Sequence, residues 1–118
     1  MNTEAERVLK RRIFDILIEV GMSAGLDGFK FSMEAIQLLI EDENLSTTKE
    51  LYPSIAKKCA TSPQRVERCI RNAISVAFER GDIQVLEQYF KNSYSPKTGR
   101  PTNTEFLKTL AYILMFQE

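Results

Sequence analysis

Apolar residues return every three or four positions along almost the whole of this 118-residue chain. No stretch alternates apolar and polar residues between Asn-Gly or Asp-Gly turns, so helix stripes, not strands, must supply the core. The fold expected is therefore all-α, a compact helical domain of about six helices. Splitting the chain into two cores would leave about 60 residues for each, a marginal size, so residues 1–118 are read as one domain. With 43% hydrophobic and 27% charged residues, a disordered or collagen-like chain is excluded.

Start and stop signals divide the pattern. A first helix is expected from Thr3 to Val20, with Val8, Ile13, Ile16, Leu17 and Val20 inward and Gly21 as its stop. Gly25 and Gly28 mark Met22 to Lys30 as a loop, after which Ser32 would cap a helix through Glu41. Ser46 to Leu51 opens another helical stretch, and Pro53 means either a kink or the first turn of a new helix ending near Cys59. Ser62 as cap and Pro63 at the first helical position begin a long helix to Arg80, stopped by Gly81. Asp82 caps a short helix through Phe90, and Lys91 to Pro101 reads as a loop. Thr102 and Glu105 have capping-box spacing and introduce a last helix bearing Phe106, Leu110, Ile113 and Leu114.

The chain has no histidine, which removes the commonest general base and metal ligand. Cys59 and Cys69 lack CxxC spacing and are read as buried free thiols of a reducing cytoplasm. No nucleophile-base pair, metal set or cofactor site can be assembled, so no enzyme is expected. The longest apolar runs are far shorter than the roughly 20 residues that cross a bilayer, and a soluble cytoplasmic protein with no membrane partner is expected.

Charge is neutral overall but unevenly spread: residues 1–45 carry −4 and residues 46–118 carry +4. Between Ala56 and Arg71, Lys57, Lys58, Arg65, Arg68 and Arg71 face Glu67 alone, net +4 in 16 residues. Such a local patch attracts phosphate backbones whatever the overall pI. The same stretch outlines a helix-turn-helix over about residues 52–80. Ala56 is the small residue where the two helices cross, Val66 and Cys69 are the buried positions of the second, and Ala60 stands where Gly is commonest in the turn. At about 100° per residue, Gln64, Arg65, Glu67, Arg68, Arg71, Asn72 and Ser75 share one arc of that helix. Val66, Cys69, Ile70, Ala73 and Ile74 share the other.

Outward guanidiniums suit guanine O6 and N7, a carboxamide suits adenine, and a carboxylate accepts from a cytosine amino group. Gln64, Arg65, Glu67 and Arg68 are accordingly candidate base contacts. Lys57, Lys58, Ser62, Arg71 and Asn72 are candidate groove or phosphate contacts, with Lys91, Lys97 and Arg100 as further cations.

The string Leu51-Tyr52-Pro53-Ser54-Ile55-Ala56-Lys57-Lys58, then Arg65-Val66-Glu67-Arg68 with Ile70-Arg71, Ala73-Ile74, Val76-Ala77 and Arg80-Gly81, then Pro101-Thr102-Asn103 with Glu105-Phe106, resembles the DNA-binding effector domain of the stage zero sporulation protein A family of response regulators. Gly28-Phe29 and Glu34-Ala35-Ile36 extend the likeness over the chain from about Ile13. The resemblance implies a transcription regulator of sporulation that binds promoter boxes similar to TGTCGAA and acts as activator or repressor. Carried over residue by residue, it implies base contacts by Arg65, Glu67 and Arg68 and a groove or phosphate contact by Arg71. Gln64 and Asn72 do not match the family, so their roles rest on helix geometry alone. The ending Met115-Phe116-Gln117-Glu118 lacks the basic tail usual there. No receiver phosphorylation site is found, and an excised effector and a receiver-free relative both stand.

Double-stranded DNA, a second copy on tandem boxes and RNA polymerase are the expected partners. The alternative from another class is a helical protein-protein interaction module whose basic face meets an acidic partner, with Tyr112 to Phe116 as its apolar dock.

Overall fold

The computed structural model describes residues 3–91 and 97–116. Six α-helices account for the described chain: α1 (Glu4–Glu19), α2 (Asp27–Glu41), α3 (Tyr52–Lys58), α4 (Pro63–Arg80), α5 (Ile83–Phe90) and α6 (Asn103–Phe116), with a π turn at Thr47–Leu51 running into α3. No strand occurs among the described residues. No helix among them is long and apolar enough to cross a membrane. Part of the expected loop from Lys91 to Pro101, residues 92–96, lies outside the described residues, as do Gln117 and Glu118 of the chain's end.

Local chemistry explains the helix ends. At the start of α1, the Thr3 hydroxyl accepts from the Glu6 amide while the Glu6 carboxylate accepts from the Thr3 amide, a reciprocal capping box. Its other end closes as a Schellman motif: Met22 donates to the Leu17 carbonyl and Gly21 to that of Ile18, with Gly21 at φ +92°. Glycine is required there because a Cβ in that region meets the following carbonyl. The end of α3 repeats the device, Thr61 donating to the Ala56 carbonyl. Here the left-handed residue is Ala60, at φ 56°, so the turn into α4 carries a small strain that glycine would relieve. Pro53 falls in the first turn of α3. The preceding π turn makes its last wide bond from the Tyr52 amide to the Thr47 carbonyl, just before the amide that proline lacks.

α2 corrects the sequence reading. The expected loop over Met22 to Lys30 ends early, since α2 begins at Asp27 and takes Gly28 into its first turn. Ser32 does not cap it. Ser32 is fully buried inside the helix, and its hydroxyl has no hydrogen-bond partner among the described residues. Gly28 misled because a glycine also serves where two backbones must touch. A Cβ on Gly28 would stand 2.1 Å from the Cys69 carbonyl oxygen and 2.7 Å from Ala73 Cβ. The first turn of α2 thus lies directly on the middle of α4.

Around this crossing the core collects Ile13, Leu17, Ile36, Ile70, Leu86 and Leu107, all fully buried. The Phe90 and Phe106 rings stack at 5.1 Å between α5 and α6. Val8, expected inward, is 53% exposed near the start of α1. Cys59 and Cys69, expected buried, are only half-buried free thiols, because each borders the edge of its helix's packed stripe. Ile113 is likewise half-buried. Arg12 donates to the Leu114 carbonyl at 3.1 Å, tying α1 to α6. Tyr89 of α5 donates to the Glu19 carboxylate at 2.8 Å, tying α5 to α1.

Two stability predictions follow from these contacts. Ala is better than Gly in a helix by about 1 kcal/mol, but the contact at Gly28 is with backbone, which cannot rotate away. Gly28→Ala should therefore lower stability by roughly 1–3 kcal/mol, and an unchanged urea midpoint would disprove the close approach. Tyr89 is pushed up to about 12, first by burial and then by its bond to Glu19. Between its unfolded value of 10.0 and about 12, the unfolded chain sheds this proton while the folded chain keeps it. Stability should then fall as pH rises through that window. Tyr89→Phe should flatten this part of an alkaline melting series, and identical pH profiles for the two proteins would refute the assignment.

Candidate nucleic-acid interface

The helix-turn-helix is built from α3, the four residues Cys59 to Ser62, and α4. Ala56, the small residue expected at the crossing, is buried. The Ser62 hydroxyl accepts from the Arg65 amide at 3.1 Å and Pro63 occupies the first turn, so the exposed end of α4 is capped in the expected way. Val66, Ile70, Ala73, Ile74 and Ala77 form the buried back of α4. Gln64, Arg68, Arg71 and Asn72 are exposed on the opposite side, and Arg65 and Glu67 are half-buried along its margins.

Charge pairing between helices across this surface was not visible in the one-dimensional pattern. Arg65 bonds the carboxylate of Asp27 at the start of α2, and its guanidinium lies 5.7 Å from the centre of the Phe31 ring. Hydrogen bonding to Asp27 pushes the Arg65 pKa further up, so this guanidinium stays charged. Glu67 and Arg71 pair one turn apart on α4, as the spacing allows. Lys58 Nζ lies 2.8 Å from Glu34 of α2, and that hydrogen bond raises the lysine's pKa. Among the described residues Lys57 and Arg68 have no carboxylate partner. Each observed pair is solvent-accessible and therefore weak, so the charges can change partners.

A groove of about 700 Å³ runs beside α4, lined by Thr48, Tyr52, Gln64, Glu67, Arg68 and Arg71. An adjoining hollow of about 390 Å³ brings Arg100 and Thr102 beside Arg71. Arg100 therefore flanks the candidate face, while Lys91 lies at the far end of α5. Between groove and hollow, Asn103 Nδ2 donates to the Tyr52 hydroxyl at 3.0 Å and to the Glu67 carbonyl at 3.1 Å. The start of α6 is thereby fastened to both motif helices. Burial, the largest influence, raises the Tyr52 pKa despite the opposing bond from Asn103, so the phenol stays protonated. Sequence reading placed Asn103, Tyr52 and Glu34 only in a cap or in the family likeness and assigned no contact to them or to Asp27 and Thr48, since their roles require elements distant in sequence. The cap itself is present, with the Glu105 amide donating to the Thr102 hydroxyl at 3.2 Å.

Deleting either partner of a neutral hydrogen bond in this bridge should lower stability by about 1 kcal/mol. Because Asn103→Ala and Tyr52→Phe remove the same bond, their combined effect should be smaller than the sum by about 0.5 kcal/mol or more. Strict additivity in urea unfolding would show that the bridge is not formed.

The exposed polar arc over an apolar back, opening from a capped Ser-Pro, is an arrangement suited to a DNA groove. Residues 13–114 match the family model described as sporulation initiation factor Spo0A C terminal. The match takes in the π turn, all of α2 to α5 and most of α6, including every candidate contact on α3 and α4. The chain therefore belongs to the sporulation initiation factor Spo0A C-terminal family of DNA-binding effector domains, which act in transcription regulation.

Proposed function

We propose that residues 1–118 form one effector domain that reads short promoter boxes sequence-specifically through the major groove, the N-terminal half of α4 entering the groove. The observation that carries this reading is the exposure of Gln64 and Arg68 at the capped end of a helix whose opposite face is buried. Arg68, with no carboxylate partner among the described residues, is the guanidinium readiest for a two-point contact with guanine. Arg65 reads a second guanine, Glu67 accepts from a cytosine amino group, and Gln64 contacts a neighbouring base edge. A box similar to TGTCGAA, with its central CG, suits this set.

The remaining contacts fix register. Lys57 and Lys58 end α3, where the helix dipole favours cations, and both are exposed for a phosphate strand. Ser62, Arg71 and Asn72 flank the groove walls. One such domain spans few base pairs, so useful affinity calls for two copies on tandem boxes, and RNA polymerase is the further partner of an activator bound there. The protein acts as activator on some promoters and repressor on others according to where the boxes lie.

Arg68→Ala should weaken binding to the box by about 1–3 kcal/mol and affect random duplex far less, with thermal stability nearly unchanged. Arg68→Lys should recover only part of the loss, because an ammonium lacks the planar fork. The check is a titration against boxes altered one base at a time; identical ranking by wild type and Arg68→Ala would remove Arg68 from base reading. Lys57→Ala combined with Lys58→Ala should weaken specific and random binding alike and make the salt slope shallower by about one unit per lost phosphate contact. Loss confined to one box sequence would contradict that role, and salt-independent binding to an acidic protein instead would favour an interaction module.

A further inference from the structure

Arg65 is the candidate guanine contact whose charge is already engaged. Its two partners, Asp27 and Phe31, both belong to α2, one turn apart and on the side turned to α4. The position of Asp27 is dictated by its neighbour: Gly28 lies against the Cys69 carbonyl, one turn along α4 from Arg65, so the start of α2 cannot drift from the arginine. Asp27 nevertheless remains open to solvent, its side chain 63% exposed against 43% for that of Arg65. Whatever approaches Arg65 meets the carboxylate too.

The rest of the face is arranged similarly. Glu34, also on α2, holds Lys58. Counting Asp27 and Glu34 with the stretch from Ala56 to Arg71 lowers its net charge from +4 to +2. Sequence-independent affinity for DNA comes from cations meeting phosphates, so a paired cation adds nothing to it until its pair opens. A two-point contact with a guanine edge is stronger than an exposed ion pair, so a correct box can take Arg65 from Asp27.

We infer that Asp27 competes with DNA for Arg65, holding it on random duplex and yielding it to guanine in the correct box. The inference rests on the reading of Arg65 as a base contact. On random DNA the pair persists and adds no phosphate contact. On the box the pair opens, and the freed carboxylate faces solvent.

The test measures binding of Asp27→Asn to a TGTCGAA-type duplex and to a scrambled duplex, in wild-type and Arg65→Gln backgrounds, over a range of salt. Asp27→Ser is the second variant, because a hydroxyl at a helix start is well tolerated, and both variants are first checked by thermal melting. With Arg65 present, Asp27→Asn should raise affinity for the scrambled duplex by less than about twofold, since the pair stays closed there in the wild type. Affinity for the box should rise about two- to fivefold, by the cost of opening the exposed pair, so the specificity ratio rises. With Arg65→Gln, the same substitution should change neither. An equal gain on the box in the Arg65→Gln background would overturn the inference, since Asp27 would then repel DNA without acting through Arg65. Lost affinity for the box alone would also overturn it, since Asp27 would then position Arg65 rather than compete for it. Failure of the underlying reading looks different: Arg65→Gln by itself would leave the ranking of altered boxes intact.

Discussion

The contact of Gly28 with the backbone of α4 governs the geometry of the whole face. Without a Cβ, the first turn of α2 comes close enough to α4 that the missing side chain would overlap the Cys69 carbonyl. Helices packed through ordinary side chains stand about 8–10 Å apart, and a glycine at the contact permits a closer approach. The close crossing brings Asp27 to Arg65 and slides Phe31 beneath it. One absent methyl group thus links the packing of the core to the electrostatics of the surface.

α4 is held from the other sides by different physics. Towards α3 the constraint is local: the short turn passes through one left-handed residue, Ala60, between two helices that both bury apolar faces. Towards α6 it is polar, through the two hydrogen bonds of Asn103. Apolar burial fixes that α4 packs, but it is non-directional. The buried stripe of α4 sets which arc faces outward, and the directional contacts hold the helix in that rotation. That arc holds Gln64, Arg68, Arg71 and Asn72.

The positive patch behaves differently in three dimensions from its linear count. Arg65, Arg71 and Lys58 each have a carboxylate beside them, while Arg68 and Lys57 have none among the described residues. Exposed pairs contribute little to stability and are screened by salt. Their consequence lies in binding, because every exchange of a carboxylate for a phosphate or a base changes the balance between random and specific sites. A neutral chain thereby keeps its local cations without a large indiscriminate attraction to polyanions.

By itself the sequence determined the helical class, the bounds of α1, α4 and α5 to within a residue or so, the capped Ser62-Pro63 start and the polar arc of α4. All of these rest on interactions within a few residues: periodicity, caps and helix-stopping glycines. The same local logic failed at α2, where Gly28 reads as a loop residue and Ser32 as a cap, because a glycine chosen for close approach has the same identity as one chosen for a turn. Val8 carries the right period for the core yet projects beyond the helices that could cover it. Only the tertiary structure decided that Asp27 and Glu34 of an acidic half would stand among the cations of a basic half, and that Asn103 would bridge two helices far from it in sequence. Those pairings come from helix crossings, which depend on which backbones can touch and leave no periodic trace along the chain.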